Sequence, residues 1–110
     1  MKILSSHDEI LLLIIRKLGE NAYGVTIRRE VSKATGKDWS IGAVYDPLYR
    51  LEEKGFVESV LSNPTRERGG RSKRLFTVTQ KGMEQLASHR QVRDSLWESL
   101  REMDYEKNEG

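Results

Sequence analysis

The chain has 110 residues, one third of them charged, with no cysteine and only two histidines, His7 and His89. That length supports one small core, and the inventory excludes a disulfide framework, an iron–sulfur cluster, a thiolate zinc site and a multi-histidine metal centre. The net charge is only +2, the polar start does not read as a signal peptide, and the longest apolar run, Ile10 to Ile15, falls far short of a ~20-residue membrane span, so a soluble, cytoplasmic protein without cofactors is expected.

The first helix opens at Ser6-His7-Asp8-Glu9, the S-x-x-E pattern of reciprocal capping, and runs to Leu18 before Gly19. Its continuous apolar run puts apolar surface all around it. Such a helix needs cover on more than one side, so Leu11, Leu12 and Ile15 are expected to pack on a partner chain. The second helix reads from Tyr23 to Thr35, with Gly24, Ile27, Val31 and Ala34 as a narrow core face. After the short connection Gly36 to Ser40, a third helix capped by Ser40 extends to about Lys54-Gly55. Ile41, Val44, Leu48 and Leu51 form its apolar stripe, with Gly42, Ala43, Asp46, Tyr49, Arg50 and Glu53 opposite. Pro47 removes one intrahelical hydrogen bond there.

The period then changes from helical to alternating. Phe56 to Leu61 and Arg74 to Val78 read as short strands, joined by a segment with turn signals at Asn63-Pro64 and Gly69-Gly70. Thr79 caps a last, long helix carrying Met83, Leu86, Ala87, Val92, Leu96, Trp97, Leu100 and Met103, and the residues after Asp104 read as frayed. Gly82 in its first turn is a mild propensity penalty.

Charge is unevenly distributed. Residues 64–76 hold Arg66, Arg68, Arg71, Lys73 and Arg74 against Glu67 alone, while the stretch from Glu98 onward is acidic. A concentrated positive excess is what an anionic partner would meet.

Helices two and three joined by a brief turn form a helix-turn-helix, and a hairpin after them is a wing. The fold class expected is therefore mainly α with a small β-hairpin wing: a winged helix-turn-helix over residues 1–79, a dimerisation helix over 80–104, and a tail over 105–110. A helix fits the major groove, and Ser40, Gly42 and Ala43 are small enough for close approach. Asp46, Tyr49 and Arg50 share the exposed face. Tyr45 borders the apolar stripe, where packing and a phosphate hydrogen bond are compatible. Tyr23, Arg28 and the basic loop are expected to position phosphates.

These residues resemble the PadR family of bacterial transcriptional regulators. Tyr23-Gly24, then Ile41-Gly42-Ala43-Val44-Tyr45 with Leu48, Leu51-Glu52 and Gly55, then Gly69-Gly70-Arg71 with Lys73, Phe76, Thr79 and Gly82, occur in the family's order across positions 8 to 88. The resemblance implies a homodimeric repressor on operator DNA, paired through its C-terminal helix, and release by a small molecule in many members. A single C-terminal helix is similar to the short subclass. Two departures stand out. The wing's usual aromatic pair is Leu75-Phe76, and Arg93 stands near the position where some short members carry a drug-sensing tryptophan, with Trp97 one turn later.

Taken alone, the Arg66–Arg74 segment would be a solvated loop; after a helix-turn-helix it reads as a DNA contact. Trp97 is dimer core first and effector platform second, Trp39 packs beside the turn, and both histidines read as surface residues. Leu86, Val92, Leu96, Trp97, Leu100 and Met103 complete the expected dimer face. No acid–base pair, nucleophile triad or phosphate-cradling glycine loop appears, so an enzyme is not expected. The rival to a double-stranded DNA binder is a winged-helix module that binds protein.

Overall fold

A computed structural model describes residues 4–62 and 72–109, with side chains described as far as Tyr105. Its elements are α1 (Ser6–Leu18), a 3-10 turn (Gly19–Asn21), α2 (Gly24–Thr35), α3 (Ile41–Glu53), β1 (Val57–Leu61), β2 (Arg74–Val78) and α4 (Gln80–Glu109). Three helices, an antiparallel hairpin and a long final helix follow the expected order, and α4 runs on past Asp104, where the sequence suggested fraying.

The cap of α1 is Ser5 rather than Ser6: its hydroxyl accepts from the Asp8 N–H at 3.0 Å. That one-residue shift frees Glu9 from capping and turns it inward, where it is buried. Leu11, Leu12, Ile14 and Ile15 are also buried, and only Leu13 of the apolar run is well exposed. The expectation that Leu11, Leu12 and Ile15 face a partner chain is thus overturned. α1 is the hub of the domain, touching α2, α3, β2 and α4, and its own chain covers it on nearly every side.

Thr26 shapes the entry to α2: its hydroxyl accepts from the Tyr23 N–H at 3.0 Å and donates to the Asn21 carbonyl. Ile27 and Val31 join the core, but Ala34 is exposed, because α2 leaves the core before Gly36 ends it in the left-handed conformation (φ 71°). Lys17, at the end of α1, lies 3.1 Å from Glu30 and ties the two helices. This hydrogen bond, opposed by partial desolvation and aided by the charges of Lys17 and Lys33, holds the Glu30 carboxyl below its ordinary range.

Ser40 caps α3 as expected, accepting from the Ala43 N–H at 3.1 Å. Val44, Pro47, Leu48 and Leu51 face inward, while Ile41 is exposed and does not belong to the buried stripe. In the hairpin Val57 pairs with Val78 and Ser59 with Phe76, sending Val57, Phe76 and Val78 into the core. The Phe76 N–H donates to the Ala22 carbonyl at 2.8 Å, pinning β2 to the corner between α1 and α2.

Thr79 caps α4 through the Gly82 N–H and donates to the Gly55 carbonyl at 2.6 Å. Gly82 is a packing requirement rather than a tolerated defect: a Cβ there would stand 2.2 Å from the Phe56 carbonyl oxygen. Beyond His89 the helix leaves the domain, and every side chain from Arg93 to Tyr105 is exposed. No helix among the described residues is long and apolar enough to cross a membrane.

Candidate nucleic-acid interface

The turn between α2 and α3 is built from side chains. Arg28 Nε donates to the Trp39 carbonyl at 2.6 Å, and its guanidinium lies 3.7 Å from Asp38. The Trp39 indole N–H donates to Thr35 Oγ1 at 2.7 Å, and the ring stacks on His7 with centroids 4.5 Å apart. Trp39 therefore packs beside the turn as expected. Arg28, expected on a phosphate, commits its Nε donor to the turn and keeps its guanidinium beside Asp38, part-exposed.

On α3 the outward face carries Ser40, Gly42, Asp46, Tyr49 and Arg50, all exposed, with Ala43 at its half-buried edge. Nothing lies within 4 Å of where a Gly42 Cβ would be, so a flat surface can approach the first turn closely. Tyr45 is half-buried. Its hydroxyl end sits where a side chain on Gly24 would have to be, 1.9 Å from an ideal Cβ, so the two helices meet there because residue 24 is glycine. The Tyr45 and Tyr49 rings stack at 5.8 Å and form a ridge along the helix.

The hairpin base is brought to the start of α2. Lys73 Nζ lies 4.3 Å from the centre of the Tyr23 ring, placing a cation and a phenol side by side at that corner. Such a pair suits a phosphate. Backbone and side-chain bonds between Ser62 and Lys73 close the hairpin there. Arg74 behaves differently: Nη1 donates to Ser59 Oγ at 3.0 Å, and the Ser59 hydroxyl donates to Glu52. The Arg74–Ser59–Glu52 chain braces the hairpin against the end of α3, so Arg74 positions the wing from its base. Arg66, Arg68 and Arg71 lie outside the described residues.

The expected dimer face divides. Leu96, Trp97, Leu100 and Met103 are exposed to between 49% and 63%, Val92 is half-buried, and Leu86 belongs to the chain's own core. Between α1 and α4 lies an open hollow of about 900 Å³ lined by Glu9, Leu13, Met83, Arg93 and Trp97 among others. Sequence reasoning missed a charged cluster built on Glu9, which lines it. His89, only 9% exposed and not on the surface, places Nε2 3.3 Å from Glu9, and Arg93 Nη1 donates to the other oxygen of the same carboxylate. A first-turn glutamate resembles a cap in sequence, and its partners lie about eighty residues away.

Among the described residues no group of three or more His, Cys, Asp or Glu could hold a metal ion. The model of the transcriptional regulator PadR-like family matches residues 10–88, most of the chain. No curated protein sequence matches at a significant level. Among solved structures the chain is similar to a PadR-like regulator from Bacillus cereus, with 23% identity, a TM-score of 0.67 and 88% of each chain covered. A transcriptional regulator from Thermoplasma acidophilum gives 23% identity and a TM-score of 0.67 over 88% of this chain and 91% of that one. A PadR-like factor from Bacteroides fragilis gives 20% identity and 0.68, over 88% and 87%. With a locked helix-turn-helix, a hairpin and a family match across both, the chain belongs to the PadR-like family of transcriptional regulators, which are not enzymes.

Proposed function

We propose that the chain is a homodimeric repressor that binds a palindromic operator, with α3 in the major groove and the wing on the flanking backbone. One observation carries this reading. The small and polar face of α3 (Ser40, Gly42, Asp46, Tyr49 and Arg50) is exposed on a turn that Arg28 and Trp39 hold rigid, beside the Tyr23–Lys73 corner. A rigid scaffold holding an unpartnered recognition face is what base reading requires. Arg66, Arg68 and Arg71 give the segment between the strands a positive charge suited to a phosphate backbone. The exposed apolar residues of α4 supply the pairing face that two half-sites need. Trp97 on the wall of the α1–α4 hollow is the candidate contact for a small-molecule effector that releases DNA.

Selection from random duplex DNA tests the reading. A palindromic consensus, bound tightly and progressively released as salt rises, is the expected result. Equal, weak binding to every duplex, or none, would favour the protein-binding module instead.

A further inference from the structure

The first turn of α3 carries an apolar side chain that the core does not use. On the helical wheel Ile41 falls beside Leu48, yet Ile41 is 48% exposed while Val44, Leu48 and Leu51 are fully buried. Its neighbours belong instead to α2 and the turn. Ile41 and Val25, itself 54% exposed, line a shallow hollow of about 390 Å³ whose rim carries Arg29 and Lys33. Asp38, also at the rim, is engaged by Arg28, and Lys33 lies 3.7 Å from Glu30, so Arg29 is the rim cation outside any ion pair among the described residues.

Local structure does not call for isoleucine at this position. A β-branched residue is a poorer helix former than alanine or leucine, and water rewards a polar one. Its exposed side chain is open to an apolar group of a partner. The surroundings narrow the choice: Gly42 beside it leaves room for close approach, and cations flank it. In a groove walled by phosphates, the one apolar group that base edges present to an entering helix is the 5-methyl of thymine.

We infer that Ile41 is a specificity-determining residue that packs on a thymine methyl in each half-site, with Arg29 on an adjoining phosphate. The inference rests on the DNA-binding reading above. It adds an apolar contact at the first turn of α3, on the α2 side of the small and polar face.

The test uses the full chain and the operator it selects from random duplex. Each thymine of one half-site and its symmetry mate is replaced by deoxyuridine, which removes only the methyl. Wild type, Ile41→Val and Ile41→Ala are then titrated. Both substitutions should leave the fold intact, since the side chain is exposed and alanine favours the helix. At one thymine position, loss of the methyl should weaken wild-type binding about fourfold per half-site, the worth of one buried carbon. Ile41→Val should keep most of that response. Ile41→Ala should bind the unmodified operator more weakly and ignore the substitution.

Equal responses of wild type and Ile41→Ala at every thymine would overturn the inference while leaving specific DNA binding intact. So would an operator at which no thymine methyl matters. Failure to select any sequence would remove the DNA-binding reading and the inference together. An Ile41→Ala defect in protein association, with DNA affinity unchanged, would place a protein on this hollow and also overturn it.

Discussion

At the scale of single residues, Gly82 and Glu9 show how tertiary contact overrides local preference. Helix propensity alone predicts that Gly82→Ala stabilises α4 by about 1 kcal/mol. The structure reverses the sign. The new methyl would meet the Phe56 carbonyl and the Val78 side chain, and the carbonyl belongs to backbone already bonded to the Thr79 N–H. Overpacking against a fixed backbone costs about 1–3 kcal/mol. Urea unfolding of Gly82→Ala should show that loss, and a gain in stability would contradict the packing. For Glu9, truncation to alanine would remove the carboxylate from both His89 Nε2 and Arg93. About 2 kcal/mol of destabilisation is expected, less than for a fully dry pair because half of the Arg93 side chain stays in water. Arg93→Ala should cost less than Glu9→Ala, and the double variant should show less than the sum, since each removes the same interaction. Additive losses would mean that the two groups do not interact in solution.

Among the elements, the helices and the hairpin were legible because each carries its own period. Val44, Leu48 and Leu51 recur at helical spacing, and Val57, Phe76 and Val78 alternate across paired strands. The exposed face of α3 followed from the same arithmetic, as Gly42, Asp46, Tyr49 and Arg50 lie opposite that stripe. What was illegible depends on where elements stop relative to one another. Ile41 and Ala34 fit the core faces of α3 and α2, but each sits at a helix end beyond the core and is exposed. The run Ile10 to Ile15 suggested an interface between chains. No periodicity could show that α1 lies at the centre of its own domain. Arg28 and Arg74 read as DNA contacts from the helix-turn-helix and its basic segment; that they also bond to the Trp39 carbonyl and Ser59 is set by tertiary folding. In the DNA-binding reading proposed above, phosphate contact then rests chiefly on Arg66, Arg68 and Arg71. Replacing Arg66, Arg68 and Arg71 together by alanine should weaken binding to all duplexes alike, because backbone contacts carry little base information. The slope of log affinity against log salt should flatten by about 0.9 for each phosphate that the variant no longer neutralises. Arg74→Ala, which removes the brace to Ser59, should instead lower hairpin stability. An unchanged salt slope in the triple variant would exclude the loop as a DNA element.

The molecule as a whole is too extended for one compact body. Its radius of gyration is 17.7 Å, against about 13 Å for a compact domain of this length. The excess is α4, which carries the largest dimension to 68 Å and holds Leu96, Trp97, Leu100 and Met103 away from the core. Because α1 is already covered by its own chain, the face available to a second copy is α4 itself, with Leu13 and Met83 at its base. One winged domain gives a small footprint, whereas two held on a twofold axis read half-sites about one helical turn apart. DNA affinity should therefore depend on a helix that touches no base. Truncation after Ser88 is a poor way to ask, since it removes His89 and Arg93 and leaves Glu9 buried without its partners. Leu96→Asp combined with Leu100→Asp changes only exposed positions and preserves that cluster. The double variant should be a folded monomer by sedimentation, with an unfolding midpoint no longer dependent on protein concentration. Its specific affinity should fall by several kcal/mol, within the roughly 4–10 kcal/mol that separates specific from non-specific binding. Sedimentation and titration on the same samples distinguish the outcomes. A monomer with full operator affinity would show that pairing is not required, and a persistent dimer would move the interface off this stretch of α4.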